Sequence, residues 1–206
     1  MSGMARLADD GPGDNPPANI EAIPDAIPKV EPLIARANKP YIALGQSYTP
    51  MTEYRPYKQK GIASWYGRRY HGQKTSAGEI YDMYGMTGAH TVLPIPSYVR
   101  VTNPDNQKSV IVRINDRGPF HSDRLIDLSY AASYKLGLAG KGSGLVEVEA
   151  IDARTYRSAK APVAQPATAQ PSAVEIKPLQ PTEKIEAVSA ASAAMMSDAV
   201  RLCAYW

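Results

Sequence analysis

The prolines of this 206-residue chain are partitioned, and the partition limits where a compact fold can form. Nine of the eighteen fall within residues 1–60, five follow residue 160, and only four remain for 61–151. Proline fixes φ and has no backbone donor, so it fits poorly inside ladders or helices. The flanks therefore read as extended or disordered and the middle as the folded unit. Three regions follow: an extended Pro-rich segment at 1–60, a domain at 61–151, and an Ala/Pro-rich linker and tail at 152–206. Within the first, Ile23, Ile27, Val30, Leu33 and Ile34 lie between prolines and offer contacts for packing on the core as an arm. The tyrosines of "KPYIALGQSYTPMTEYRPYKQKG" mark a semi-ordered lead-in.

The middle region reads as short strands. "IASWYG" opens it, "SYVRVTN" sets Val99 and Val101 on one face, and "SVIVRIND" does the same with Val110, Val112 and Ile114. "GLVEVEAI" closes it with Val146, Val148 and Ala150 inward and Glu147 and Glu149 outward. The turn-forming "NPDNQK" predicts a hairpin between the second and third strands. The one clear helix is "SYAASYKLG", with Ser129 as N-cap and Gly137 in the left-handed position that ends it. Short strands, one helix and many turns predict an all-β fold, a small closed barrel whose closure removes edges. Such a barrel has no room for a large internal ligand, so its active surface must be an external groove built from loops and strand ends.

Several function classes are disfavoured. A net charge of +3, with dispersed basic residues, gives nucleic acid no electrostatic footprint. Cys203 is the single cysteine, and the three histidines have no metal-ligand spacing, so neither a metal site nor a cofactor is implied. A serine hydrolase would need a G-x-S-x-G elbow, which the chain lacks. No window approaches the roughly 18 apolar residues of a membrane span, and the N-terminus has no secretory h-region. Membrane association would require a lipid anchor on the natural precursor.

Four groups in the core region can carry chemistry: Glu79 and Asp82 in "SAGEIYDMYG", His90 in "TGAHTVLP" and Asp116 in "NDRGPF". Asp116 shares parity with Val110, Val112 and Ile114, which predicts a side chain leaving the strand on the barrel-facing side where the strand ends. Partial burial there suits an acid/base. The alternative is a turn aspartate that accepts backbone N–H bonds and pairs with Arg117 or Arg113. His90 is either a structural histidine or a catalyst, and His71 and His121 have weaker claims. Trp65, Tyr66, Tyr70, Tyr81 and Tyr84 cluster around the polar candidates, as sugar-stacking faces would, although Trp65 fits the core equally well. Trp65, Tyr66, Tyr81 and Arg117 are the candidate substrate-binding residues.

The order "ASWYG", "T-x-x-GE-x-YDM", "AH-x-x-LP" and "NDRGPF" between residues 61 and 151 resembles the rare lipoprotein A (RlpA-like) family of bacterial cell-envelope proteins. The resemblance implies a six-stranded double-psi β-barrel. It also implies a lytic transglycosylase that cuts peptidoglycan glycan strands stripped of peptide stems at the division septum, in the periplasm or at the outer membrane. Cell-division proteins are then possible partners. Carried onto matching positions, the catalytic set is Asp116, Glu79, Asp82 and His90. The family's lipobox cysteine and its C-terminal peptidoglycan-binding SPOR domain are not seen in this sequence.

A lytic transglycosylase needs no water: one carboxyl group protonates the departing oxygen and then deprotonates the sugar's own C6 hydroxyl, closing a 1,6-anhydro ring. That acid/base role falls to Asp116, with Glu79 and Asp82 holding substrate or stabilising charge and His90 orienting one of them. The rival reading is a noncatalytic peptidoglycan-binding or scaffold barrel that uses the same groove.

Overall fold

A computed structural model describes residues 11, 13 and 16–156. The readings made for 157–206, Cys203 among them, lie outside the described residues. In chain order the elements are β1 (Tyr41–Ala43), β2 (Gln46–Tyr48), β3 (Lys58–Tyr66), β4 (Thr87–Ala89), β5 (Ser97–Thr102), β6 (Ser109–Asp116), β7 (Arg124–Ser129), α1 (Tyr130–Lys135) and β8 (Ser143–Ile151). None of the described helices is long and apolar enough to cross a membrane.

Six strands close a barrel in the order β3-β7-β4-β6-β5-β8, the expected double-psi arrangement. The β5–β6 hairpin pairs in the register the turn predicts, Val99 opposite Val112 and Val101 opposite Val110. Two parallel pairs, β3–β7 and β4–β6, meet through the antiparallel pair β4–β7. The alternating strands direct Val99, Val101, Val110, Val112, Ile114, Val146 and Val148 into a core from which water is excluded. Ser129 caps α1 by accepting from the Ala132 N–H at 3.2 Å, and Gly137 takes φ 74°, as the sequence predicts.

Two barrel strands, β4 and β7, escape a pattern-based reading. β4 is three residues long and contains Gly88, where a Cβ would lie 3.2 Å from the Asp127 carbonyl oxygen. A side chain there would crowd β7 and push it back by a few tenths of an ångström, so a residue that weakens strand propensity is the one that suits the packing.

The N-terminal arm is extended and lies on the barrel. Ile20 and Ala37 are buried in its core cluster. Backbone bonds run from the Ala26 N–H to Ile111 O at 3.0 Å and from the Ile34 N–H to Ile95 O at 2.9 Å. Asp25 accepts from the Ile111 N–H at 3.0 Å and from Lys135 Nζ at 2.6 Å. Glu31 accepts from Arg113 Nε at 2.9 Å and from the Tyr98 hydroxyl at 2.5 Å. Burial raises the Glu31 carboxyl, but the bonds from Arg113 and Tyr98 and the Arg113 charge outweigh it and hold the group below its ordinary value.

Candidate active site

Neighbouring strands place Ser64 (β3), Asp127 (β7), Ala89 (β4) and Asp116 (β6) in one lateral row across four adjacent strands. Residues in register on adjacent strands point to the same side, so the row forms a patch on one face of the barrel wall. Asp127, Ala89 and Asp116 line a groove of about 440 Å³, together with Leu44, Trp65, Tyr66, Tyr70, Phe120 and Arg124.

Asp116 reaches this face because β6 is irregular. Ile114 pairs with Gly88 but Asp116 with Ala89, so Asn115 is an extra residue on one side of the ladder. A bulge reverses the alternation beyond it. Ile114 therefore points into the core, whereas Asp116 turns to the groove rather than to the barrel-facing side that unbroken parity predicts. Its Oδ1 accepts from the Ser76 N–H at 2.8 Å, Ser76 Oγ at 2.6 Å and the Arg117 N–H at 2.8 Å. The turn-aspartate pattern is thus present, on a residue that also faces the groove.

Asp127 is the residue that the sequence reading missed. Its Oδ1 accepts from Ser64 Oγ at 2.6 Å and lies 3.3 Å from Arg124 Nη1. Burial raises its carboxyl above the usual range and the Asp116 charge adds to this, against the opposing effects of the Ser64 bond and the Arg124 and His121 charges. A signal was available: in "RLIDLS" an aspartate alternates with Ile126 and Leu128, both fully buried, so its side chain must leave on the opposite face. Tyr66 stands close enough to both aspartates for their charges to add to the effect of burial, which holds its hydroxyl far above the ordinary value and hence neutral.

The remaining candidates occupy other places. Glu79 accepts from Arg113 Nη1 at 2.9 and 2.8 Å and from Asn115 Nδ2 at 3.0 Å, a bracket behind the bulge rather than a groove residue. Asp82 is exposed, accepting from the Tyr84 N–H at 2.9 Å, with His71 Nδ1 at 3.7 Å. His90 is buried. Its Nδ1 accepts from the Val92 and Leu93 N–H groups at 3.2 and 3.1 Å, which leaves Nε2 as donor to the Tyr57 hydroxyl at 2.9 Å. Burial, aided by the Arg117 charge, lowers it to about 3, so it is neutral at ordinary pH. Both ring nitrogens are engaged, neither by a carboxylate.

Arg117 lines the groove, but its guanidinium is bonded to the protein. Nε and Nη2 donate to Ala37 O at 3.0 and 2.9 Å, Nη2 to Asn38 Oδ1 at 2.9 Å, and Nη1 to His90 O and Leu93 O at 3.0 and 2.6 Å. Five bonds match the five guanidinium donors, so none is left for a substrate. Desolvation lowers the group to about 10, still charged at neutral pH. Tyr81 is a buried support: it stacks on Tyr66 at 4.2 Å and donates its hydroxyl to Tyr66 O. Trp65 both lines the groove and packs edge-on against Tyr130 at 5.3 Å, so its two readings hold together.

The arrangement offers two carboxylates in different settings beside aromatic walls, which suits acid/base chemistry on a sugar. In comparisons with known proteins, residues 58–150 match the family described as lytic transglycolase. Proteins named endolytic peptidoglycan transglycosylase RlpA are similar to this chain. The one from Pseudomonas aeruginosa is 51% identical over 177 residues, covering 82% of this chain and 52% of that protein. That of Vibrio cholerae is 52% identical over 149 residues, covering 72% and 56%. That of Neisseria meningitidis serogroup B is 57% identical over 127 residues, covering 62% and 53%. The chain thus spans about half the length of these curated relatives.

Proposed function

Because the chain belongs, through residues 58–150, to the RlpA-like lytic transglycolase family, we propose that it is an endolytic peptidoglycan transglycosylase. The observation that carries this reading is the row in which Asp116 and Asp127 flank Ala89 on the floor of an aromatic-walled groove.

Asp127 takes the acid/base role that the sequence alone gave to Asp116. Its burial favours the protonated form that a general acid must hold before it acts. It donates that proton to the oxygen leaving C1 of N-acetylmuramic acid, and the C1–O4 bond breaks. The resulting carboxylate then takes the proton of the C6 hydroxyl as O6 bonds to C1. The balance is an isomerisation: one C–O bond is exchanged for another, no water is consumed, and the acid is regenerated. Asp116, fixed by three donors on Oδ1, faces the positive charge that develops at C1. Glu79 acts through its hold on Asn115 and Arg113 as a positioning residue. The substrate is a peptide-stripped glycan strand, the place of action the cell envelope at the division septum, and cell-division proteins the candidate partners.

The test is digestion of purified glycan strands followed by mass spectrometry. Anhydro ends are expected. Reducing ends would make the protein a hydrolase instead, and binding without products would leave a noncatalytic glycan-binding barrel.

A further inference from the structure

β1 and β2 form a two-stranded hairpin outside the barrel and outside the matched family domain. Ala43 pairs with Gln46, so the turn consists of Leu44 and Gly45 alone. Both have positive φ, 46° and 77°, the signature of a type I′ turn. Its first position favours glycine, which has no Cβ to meet the backbone carbonyl, or asparagine and aspartate, whose short polar side chains offset that contact by bonding locally to the backbone. Here it is leucine.

Among the described residues nothing rewards that choice. Leu44 is 80% exposed, so it gains no core burial against its backbone strain. The hairpin is secured elsewhere: Tyr41 stacks on Tyr48 at 5.1 Å, both rings meet Phe120 at 6.1 and 5.9 Å, and the Tyr41 hydroxyl donates to Thr91 O at 2.9 Å. Phe120 belongs to the loop that follows Asp116 and itself lines the groove. The aromatic trio thus ties the hairpin to the active-site loop, and Leu44 stands on the groove wall, largely uncovered by the described residues.

We propose that Leu44 is a substrate-contacting residue of the groove, laying its apolar side chain on the C–H face of a sugar ring in the bound glycan strand. Strain at an exposed position then has a purpose, since the unbound protein carries a cost that is offset only when the strand covers the side chain. The proposal rests on reading the groove as a glycan site.

It is tested with Leu44→Asn in the full chain, with Ile42→Thr as control. Ile42 is in the same hairpin and 74% exposed but does not line the groove. Leu44→Asn should raise the melting temperature, because asparagine accepts the left-handed conformation. It should also raise KM on purified glycan strands by about fivefold to tenfold, as expected for losing a modest apolar contact, with kcat within twofold of the wild type. Ile42→Thr should leave KM unchanged. An unchanged KM in Leu44→Asn, or an equal rise in both variants, overturns the proposal. If the wild type yields no products, the same comparison is made with the Kd for the strands. The enzyme reading then fails while the contact at Leu44 is still decided.

Discussion

Asp116 and Asp127 stand on opposite sides of Ala89, each in register with it, one across a parallel pair and the other across an antiparallel pair. Two strand spacings of about 4.8 Å put their backbones roughly 10 Å apart, with both side chains lining the groove between. Each is fixed by different donors, Asp116 by Ser76 and the Arg117 backbone, Asp127 by Ser64 and Arg124. At that separation and with those anchors, one cannot substitute for the other.

Asp127→Asn should therefore keep the fold and glycan binding but reduce kcat by about 10² to 10⁴, the range of general acid/base catalysis. Because a general acid works only while protonated, wild-type turnover should fall as pH rises through the elevated Asp127 value. A substrate with a leaving group that needs no protonation should recover part of the lost rate in Asp127→Asn and none in Asp116→Asn. Rescue in Asp116→Asn alone would return the acid role to Asp116.

Arg117→Ala should behave as a folding mutation. Removing the guanidinium leaves the carbonyls of Ala37, His90 and Leu93 without this donor, which should cost about 3 kcal/mol in urea unfolding. Whatever protein remains folded at low temperature should bind strands like the wild type. A large loss of affinity with normal stability would show that the side chain contacts substrate after all.

His90 sets one pH window. Its folded value of about 3 lies below the ordinary 6.5, so between those limits the unfolded chain binds a proton that the folded one does not. Stability should fall as pH drops from about 6.5 toward 3, by at most about 1.4 kcal/mol per pH unit from this residue. Urea midpoints for His90→Asn should be lower at neutral pH yet decline less steeply across that range.

Glu31 sets a second, more acidic window. Its folded value is held below 4.5, so its contribution is complete above 4.5 and is lost as pH falls through the folded value. Hydrogen exchange at the Ile34 amide, which bonds to Ile95 O in the docked arm, should accelerate there. In Glu31→Gln that acid-induced step should be missing, with exchange already faster at neutral pH.

The local features were legible because they rest on near neighbours. Alternation marked β5, β6 and β8, "NPDNQK" marked their hairpin, and Ser129 and Gly137 marked the ends of α1. Asp116 was identified as a site candidate, but its face was not: the bulge at Asn115 turns it outward, and a count of residues cannot see a bulge. Arg117 and Tyr81 looked like substrate contacts because they adjoin site motifs, whereas their hydrogen bonds are spent on the arm and on Tyr66.

Sequence by itself determined that the segments of β3, β5, β6 and β8 become strands, where the helix starts and stops, and which residue types near "NDRGPF" can move protons, since backbone propensity and side-chain chemistry are local. Only the tertiary structure decided that Asp127 stands in register with Ala89 beside Asp116, that Glu79, Asp82 and His90 lie outside the groove lining, and that Leu44 from the N-terminal arm reaches the groove. Those outcomes depend on the register between β4, β6 and β7 and on the docking of the arm, which bring together residues far apart in the chain.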